Sequence, residues 1–320
     1  MTLAITFHAF AGADFWIGVG VLAATYAIFS LGLQLNVGTT GITNFGQAGF
    51  MAIGAYTMAI LVEREHWSLW PAMLAGVGLA MVAAVLVGLP SLRLRADYFA
   101  ITTLAFAEIV RYFIDQARGL TNGNQGLLGY SGDWFKFSLR LGNWLNGHGV
   151  HVTSFLFPLL LVSSALAVVL WLAVSALVRT PWGRVLRAIR EDEDAARSLG
   201  KNTFAYKLQS LALSAALAAI AGFVLALNLT LLVPDQFDPV FTVFGYVIVI
   251  LGGTGSYFGV LVGSVVLMAL VEGTRYVELP LASDKVAAIR FIIVGLILIL
   301  LMAFRPQGLL GKRQEMLLSD

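Results

Sequence analysis

The sequence contains no cysteine and few charged residues. Of its 320 residues only 12% are Asp, Glu, Lys or Arg, while 59% are hydrophobic. The absence of cysteine excludes disulfides, thiolate metal sites and cysteine nucleophiles. Because ordinary soluble domains are about 25% charged, the chain is too apolar for a water-facing globule, and we expect a lipid bilayer around it. Its formal net charge of +2 is too small to indicate a nucleic-acid partner.

Two kinds of chemical site are also missing from the sequence. No G-x-x-x-x-G-K-[ST] run occurs, and the glycine cluster at residues 252–256 has no lysine, so the chain cannot itself be an ATPase. The histidines lie in terminal or loop segments without the spacing of metal ligands. We therefore expect no catalytic residue, no metal and no cofactor bound by this chain. The four histidines are His8, His66, His148 and His151.

Uncharged stretches long enough to cross a bilayer recur along the chain. One span takes about 20 residues, and no charged residue lies between Asp14 and Glu63, which predicts two helices with a turn at residues 36–41. The N-terminus lacks the basic region of a cleavable signal peptide, so we expect the first span to be retained. Further spans are predicted at residues 69–89, 98–116, 152–178, 208–232 and 286–304, with two short ones within residues 239–271.

These spans predict an all-α polytopic membrane protein with about nine crossings, between about eight and ten. The short spans are separated by the glycines at residues 252–256, and such broken helices are allowed at membrane depth where the backbone is buried in protein or lines a cavity. We expect a single transmembrane domain over residues 1–320, in which residues 179–207 form a polar loop.

The distribution of basic residues predicts which loops face the cytoplasm. Seven of the twenty Lys and Arg residues lie between Arg179 and Lys207. The positive-inside rule places this loop in the cytoplasm, together with Arg93 and Arg95. The N-terminus and residues 120–127 are then expected outside.

The middle of the fourth predicted span carries two charged residues of opposite sign. Glu108 and Arg111 are one helical turn apart and can form an ion pair. Leaving either charge alone at the bilayer centre would cost roughly 2.5 to 3.5 kcal/mol. We expect a structural ion pair near the outer interface, with a proton relay or a contact to an amino-acid zwitterion as alternatives.

Two amides lie near one end of the second predicted span. Asn44 and Gln47 are three residues apart, on one helix face, with glycines around them. One interpretation is interhelical polar packing, in which small residues let backbones approach. The other is a kink whose freed backbone groups and amides contact a passing substrate, as in the discontinuous helices of transporters. With Glu108 and Arg111, these residues form a candidate substrate path.

The polar loop is the most charged segment of the sequence. Its apolar residues recur at helical spacing, which predicts a surface helical hairpin. The run E-D-A-A-R-S-L-G at residues 193–200 has two small residues, Ala195 and Ala196, that would let a partner approach closely, and Gly200, which allows a helix-ending turn. From charge alone, a solvated connection explains the loop equally well.

Several stretches resemble those of one transporter family. Residues 193–200 are similar to the EAA loop of ATP-binding-cassette (ABC) importer permeases. Residues 41–57, 90–111, 120–127, 252–259 and 305–309 resemble the corresponding segments of branched-chain amino-acid importers, in the same order. The likeness covers most of the chain. It departs from the family at Thr121-Asn122-Gly123, where two adjacent glycines usually follow the threonine, and this leaves the cargo's side chain open.

The resemblance implies a function and a set of partners. It implies a permease subunit, without enzyme activity of its own, in an ABC importer of the bacterial inner membrane that takes up branched-chain or other hydrophobic amino acids. The implied partners are a second homologous permease, two ATP-binding subunits that use ATP, and a periplasmic or lipid-anchored substrate-binding protein. The implied ATPase-coupling residues are Glu193, Asp194, Ala195, Ala196 and Gly200.

Two alternatives to this function stay open from the sequence. One is an ABC permease for urea or amides, which belongs to the same permease family. The other is a stand-alone ion-coupled carrier or channel, which Glu108 and Arg111 inside a span would favour.

Overall fold

In the computed structural model, which describes residues 12–149, 154–273, 292, 295, 296, 299 and 308–310, the chain folds into α-helices. The described residues form twelve of them and no β-strand, apart from one isolated bridge between Leu127 and Leu232. The helices are α1 (Ala13–Leu33), α2 (Gln47–Glu63), α3 (Leu69–Ser91), α4 (Ala96–Gln116), α5 (Arg118–Thr121), α6 (Gly132–Gly147), α7 (Phe157–Arg179), α8 (Pro181–Glu191), α9 (Glu193–Ser198), α10 (Thr203–Leu229), α11 (Val240–Gly252) and α12 (Tyr257–Gly273).

Several of these helices have the length and composition of membrane spans. Within the described ranges, five helical stretches are long and apolar enough to cross a bilayer, and α2 and α12 are shorter apolar helices. This confirms the predicted all-α polytopic membrane fold. The predicted span at residues 286–304 lies outside the described residues, except for four positions. The five stretches are Ala13–Thr40, Leu69–Ser91, Phe157–Arg179, Thr203–Leu229 and Pro234–Gly252.

Small residues bring the central helices together. Helices α1, α2 and α10 are mostly buried, whereas α3 and α7 expose a large part of their surface. A Cβ atom on Gly54 of α2 would lie only 2.5 Å from the Cα atom of Ala219 in α10, and one on Gly222 would lie 2.2 Å from the carbonyl oxygen of Met51. Glycine at these positions lets backbones touch, as in other membrane bundles.

The chain breaks between the first and second spans, several residues later than the sequence predicted. A π-helical turn, Gln34–Thr40, continues α1, and the chain turns at Gly41, where φ is +76°. Residues 41–46 are non-helical and are called the helix break below, and α2 begins only at Gln47. The predicted turn at residues 36–41 is therefore wrong by several positions, because the π-helical turn keeps these residues helical and Gly41 supplies the positive φ at its end.

Three other predictions can be compared with the helices. The predicted short spans within residues 239–271 are confirmed as α11 and α12, which are separated at Gly253, where φ is +106°. The sixth span was predicted from residue 208, but α10 begins at Thr203 because the side chain of Asn202 accepts a hydrogen bond from the Ala205 N–H at 3.1 Å. The fifth was predicted from residue 152, whereas α7 begins at Phe157.

Helix α4 connects two ends of the bundle. Its first residue, Ala96, lines a cavity with residues of α8 and α9, and we call this end the loop end. Near its other end, Arg111 pairs with Asp235 of the Pro234–Phe237 turn, and we call this the far end. Fifteen residues of helix separate Ala96 from Arg111, which corresponds to about 22 Å. Arg95 therefore lies on the side of the polar loop, as the basic-residue distribution predicted.

Candidate functional site

The polar loop folds into the predicted helical hairpin, made of α8 and α9. Pro181 is the first residue of α8, a position where the missing N–H costs nothing. Leu186 and Ile189 are buried and anchor α8 to the bundle. The Asp192 carboxylate caps α9 by accepting two hydrogen bonds at 2.9 Å, from the N–H groups of Asp194 and of the residue after it.

The short helix α9 presents one face to the chain and one to solvent. Ala196 is buried, whereas Ala195 is exposed and Leu199, four residues later on the same face, is 81% exposed. Gly200 has φ +77° with open space around it, so the predicted helix-ending turn is confirmed. Of the two alanines expected to admit a partner, only Ala195 faces outward, and Ala196 serves the packing of the hairpin itself.

Ion pairs tie α9 to the start of α10. The Glu193 carboxylate pairs with Lys207 of α10 and, at 3.2 Å, with Arg197. Partial burial acts to raise the pKa of Glu193, but the hydrogen bond and charge of Lys207, with Thr203 and Arg197, outweigh it and hold the pKa below its usual range. Glu193 therefore stays ionised and links the two helices. Asp194 pairs only with Arg197, at 3.1 Å, among the described residues.

The hairpin also contacts the helix break. Arg190 of α8 donates a hydrogen bond from Nη1 to the carbonyl oxygen of Gly38 in the π-helical turn. A Cβ atom on Gly41 would lie 3.1 Å from Cγ of Arg190, so the two segments are in close contact. A cavity of about 280 Å³ lies between part of the break, the start of α4 and the hairpin, and its lining includes Thr43 and Glu193. Movement of the hairpin would therefore reach the break directly.

The amides of the break form a buried network with α10. Asn44 precedes α2 and Gln47 is its first residue, so they do not share a helix face as predicted, because the helix has not yet begun at Asn44. Their side chains still meet, with Asn44 Nδ2 donating to Gln47 Oε1 at 3.0 Å. Gln47 Nε2 donates to the Ser214 carbonyl at 3.1 Å, and Ser214 Oγ donates to Gln47 Oε1 at 2.9 Å. Both amide side chains are fully buried.

The backbone groups freed by the break are hydrogen-bonded within the chain. Three of their partners are side chains of α4 and α11 that were not predicted from the sequence, and the fourth is the Asn44 side chain. The only sequence signal for those three was a hydroxyl group within an apolar run. In this arrangement the break therefore contacts protein. The hydrogen bonds run from Phe45 N to Thr103 Oγ1 (3.0 Å), from Gly46 N to Asn44 Oδ1 (2.8 Å), from Ala48 N to Thr242 Oγ1 (3.1 Å) and from Tyr246 Oη to the Asn44 carbonyl (2.9 Å).

The π-helical turn carries a polar cluster of its own. Thr40 Oγ1 and Ser210 Oγ are 2.7 Å apart, and Ser210 donates to Asn36 Oδ1 at 3.2 Å. The Asn36 amide nitrogen is buried and has no hydrogen-bond partner among the described residues. Single π-helical turns inside α-helices are rare and often occur at functional sites. From the sequence, Asn36 was expected only to form part of a turn.

The predicted pair of Glu108 and Arg111 is present and has a third member. Helix α4, which carries the pair and was predicted as the fourth span, is not among the five stretches apolar enough to cross a bilayer. Arg111 Nε donates to Glu108 Oε2 at 3.0 Å, and Arg111 Nη1 lies 3.0 Å from Asp235 Oδ1. Asp235 was missed because it is 124 residues away in the chain. The pair does not join the buried amides, because it lies more than one turn of α4 beyond Thr103. The candidate path residues therefore form two separate sets, and the described residues contain no group of three His, Asp or Glu that could hold a metal.

Comparison with known proteins identifies relatives over most of the chain. A family described as branched-chain amino acid transport system, permease component, matches residues 16–302. The high-affinity branched-chain amino acid transport system permease protein LivM of Salmonella typhimurium is 35% identical over 312 residues, 94% of this chain and 71% of that protein. LivM of Escherichia coli K12 is 35% identical over 317 residues, with the same coverage. The permease protein LivH of Escherichia coli K12 is 24% identical over 318 residues, 91% of this chain and 92% of LivH. No solved structure matches the chain.

Proposed function

Because the chain belongs to the branched-chain amino acid transport permease family, and is thus the permease component of an ABC importer, we propose that it carries branched-chain or other hydrophobic amino acids across the bacterial inner membrane. The observation that supports this cargo is the 35% identity to two LivM proteins over 94% of the chain. The multi-pass helical fold agrees with a permease.

The proposed importer contains four further subunits. The chain is similar to both LivM and LivH, which supports a heterodimer with a second homologous permease. It lacks an ATP-binding motif, so two separate ATP-binding subunits supply the energy and use the ATP. A periplasmic or lipid-anchored substrate-binding protein delivers the amino acid to the far end. The chain itself then has no enzyme activity and binds no cofactor.

Helix α9 is the proposed contact for an ATP-binding subunit, with residues 179–207 as the coupling loop. Its outward face offers Ala195, which leaves room for a partner, and Leu199, whose exposed side chain can bury apolar area. The inward side, through Glu193 and Lys207, transmits the movement to α10, while Arg190 transmits it to the π-helical turn. Packed helices have discrete alternative arrangements that a rigid docking element can bias.

The helix break is the proposed gate of the substrate path. In this arrangement Asn44 and Gln47 hold residues 41–46 against α4, α10 and α11. Moving the π-helical turn through Arg190 would release some of these hydrogen bonds and free backbone groups for the amino acid, as discontinuous helices do elsewhere. Glu108 and Arg111 then hold the far end of α4 in place.

The orientation of this path can be tested by cysteine labelling, because the chain has no native cysteine. We expect a cysteine at Ala188, which is exposed on α8, to react with an impermeant thiol reagent only after the cells are opened. A cysteine at Leu120, exposed at the far end, should react in intact cells. The reverse pattern would overturn the assignment of the loop end to the cytoplasm.

Uptake by the reconstituted importer tests the proposed cargo and energy source. Proteoliposomes would contain the chain with its second permease and ATP-binding subunits, and would be offered leucine, isoleucine, valine, phenylalanine and urea with the binding protein. We expect ATP-dependent uptake of the branched-chain amino acids and none without the ATP-binding subunits. Uptake that persists without them would favour a carrier, and uptake of urea alone would overturn the proposed cargo.

A further inference from the structure

A second cavity, of about 450 Å³, lies at the loop end next to the hairpin. It is enclosed by the ends of α7 and α8, the π-helical turn and the turn between α11 and α12. Three arginines line it, namely Arg179, Arg187 and Arg190, and the described lining contains no Asp or Glu. The described wall of the cavity is therefore strongly positive.

The three arginines have few partners inside the chain. Arg187 donates one hydrogen bond from Nη1 to the Val178 carbonyl at 3.2 Å, and Arg190 donates one to the Gly38 carbonyl. None of the three forms an ion pair with a carboxylate in the part of the chain that the structure describes. Each guanidinium carries five N–H donors, so most of these donors remain available to a ligand.

Other groups in the same wall also favour an anion. Helix α12, which has 17 residues, begins at the cavity, and the positive end of its dipole and its first N–H groups attract negative charge. Ser256, just before α12, lines the cavity, and its Oγ accepts a hydrogen bond from Gly259 N at 3.1 Å.

The side of the cavity away from the arginines is apolar. The rings of Trp171 and Phe258 are 5.8 Å apart, and Phe258 is 54% exposed. Leu172, beside Trp171, is also 54% exposed, so this part of α7 presents a lipid-facing surface. Eight residues of α7, about 12 Å, separate Trp171 from Arg179 at its end. The site therefore has a charged part, which matches the phosphate of a phospholipid, and next to it an apolar part, which matches the acyl chains.

We propose that this cavity binds the phosphate of an anionic phospholipid in the leaflet at the loop end. Guanidinium groups match phosphate oxygens in a bidentate geometry, and basic pockets between membrane helices are known to hold anionic headgroups. The exposed Phe258 ring, which lies against Trp171, then contacts the first acyl carbons. This site lies apart from the outward face of α9 and does not depend on which amino acid the importer carries.

The test compares two charge-matched double variants of the full-length chain in its assembled importer. One removes cavity charges, Arg179→Gln with Arg187→Gln, and leaves Arg190 to contact Gly38. The control removes two exposed charges of the same end that do not line the cavity, Arg184→Gln with Lys201→Gln. Each protein is placed in nanodiscs of phosphatidylcholine with a small fraction of phosphatidylglycerol, and retained lipid is counted by native mass spectrometry.

We expect the wild type and the control to retain phosphatidylglycerol above its bulk fraction. The cavity variant should bind it about 30-fold more weakly, from the contribution of each basic residue near a membrane surface, with an unchanged melting temperature. Equal retention by all three proteins, or equal loss by both variants, would overturn the proposal. Displacement of the lipid by millimolar inorganic phosphate, with the phosphate itself bound, would identify a free-phosphate site instead and equally overturn it.

Discussion

The helix break and the α8–α9 hairpin are both rich in polar groups, yet they use them in opposite ways. At the break, the Asn44 and Gln47 side chains are fully buried and every hydrogen bond goes to the chain itself. At the hairpin, Ala195 and Leu199 face solvent, and the ion pairs of Glu193 hold the helix from behind. The first region is a buried junction between helices of the same chain. The second is a surface that packs against the chain on one side and is exposed on the other.

This difference shows how a polar residue that stabilises the fold can be told from one that binds a ligand or a partner. A polar residue inside a span can serve the fold or the cargo, and the answer depends on whether its partners come from the same chain. The exposed Leu199, just after α9, is available to a partner outside the chain. Arg190 joins the two regions, because it lies on the hairpin and contacts the carbonyl of Gly38.

Removing an amide from the break should have the largest effect. Gln47→Leu keeps the volume but leaves the Ser214 hydroxyl and the Asn44 amide without their acceptor, and each unsatisfied buried group costs about 1 to 3 kcal/mol. We expect little folded protein, measured as the monodisperse fraction in detergent and by thermal unfolding. The matched control, Gln116→Leu at the exposed end of α4, should fold normally. Normal folding of Gln47→Leu would mean that the structure of the break does not depend on these hydrogen bonds.

The ion pair at the far end should give a smaller and asymmetric effect. After Glu108→Leu, Arg111 keeps Asp235, whereas after Arg111→Leu the Glu108 carboxylate loses its only described cationic partner. We therefore expect Arg111→Leu to be the more destabilising change, by about 1 kcal/mol since the pair is partly exposed. Thermal unfolding of both single variants and of the double variant measures this, and the double variant should be more stable than Arg111→Leu alone. Equal effects of the two single changes would mean that the ion pair with Asp235 does not stabilise the chain.

The smallest effect is expected at the hairpin, where Glu193→Gln should lower stability by less than about 1 kcal/mol. Because folding lowers the pKa of Glu193, its contribution is present above the ordinary pKa of glutamate and is lost as the pH falls through the lowered value. The wild type should thus exceed the variant in melting temperature by a constant margin from neutral pH down to the ordinary glutamate range. The margin should then shrink on further acidification. A margin that grows with acidification would contradict the pairing with Lys207.

The sequence predicted the helices and missed the contacts between them. Spans and the hairpin follow from apolar runs and helical spacing, and the pairing of Glu108 with Arg111 follows from their separation of three residues. The partners Thr103, Thr242 and Asp235 did not, because they come from distant segments that only the packed bundle brings together. The inward direction of Ala196 also depends on how α9 is held by α8 and α10, which its own sequence does not encode.

The most direct test of the coupling hairpin uses the two faces of α9. Leu199→Asp alters only the exposed face, so the chain should fold with an unchanged melting temperature while copurification of the ATP-binding subunits falls. Leu139→Asp, an exposed leucine on α6, serves as the control and should retain those subunits. We predict that the Leu199 variant loses the subunits, and with them substrate-stimulated ATP hydrolysis. Full recovery of the ATP-binding subunits and normal uptake by this variant would contradict the assignment of α9 as the docking element.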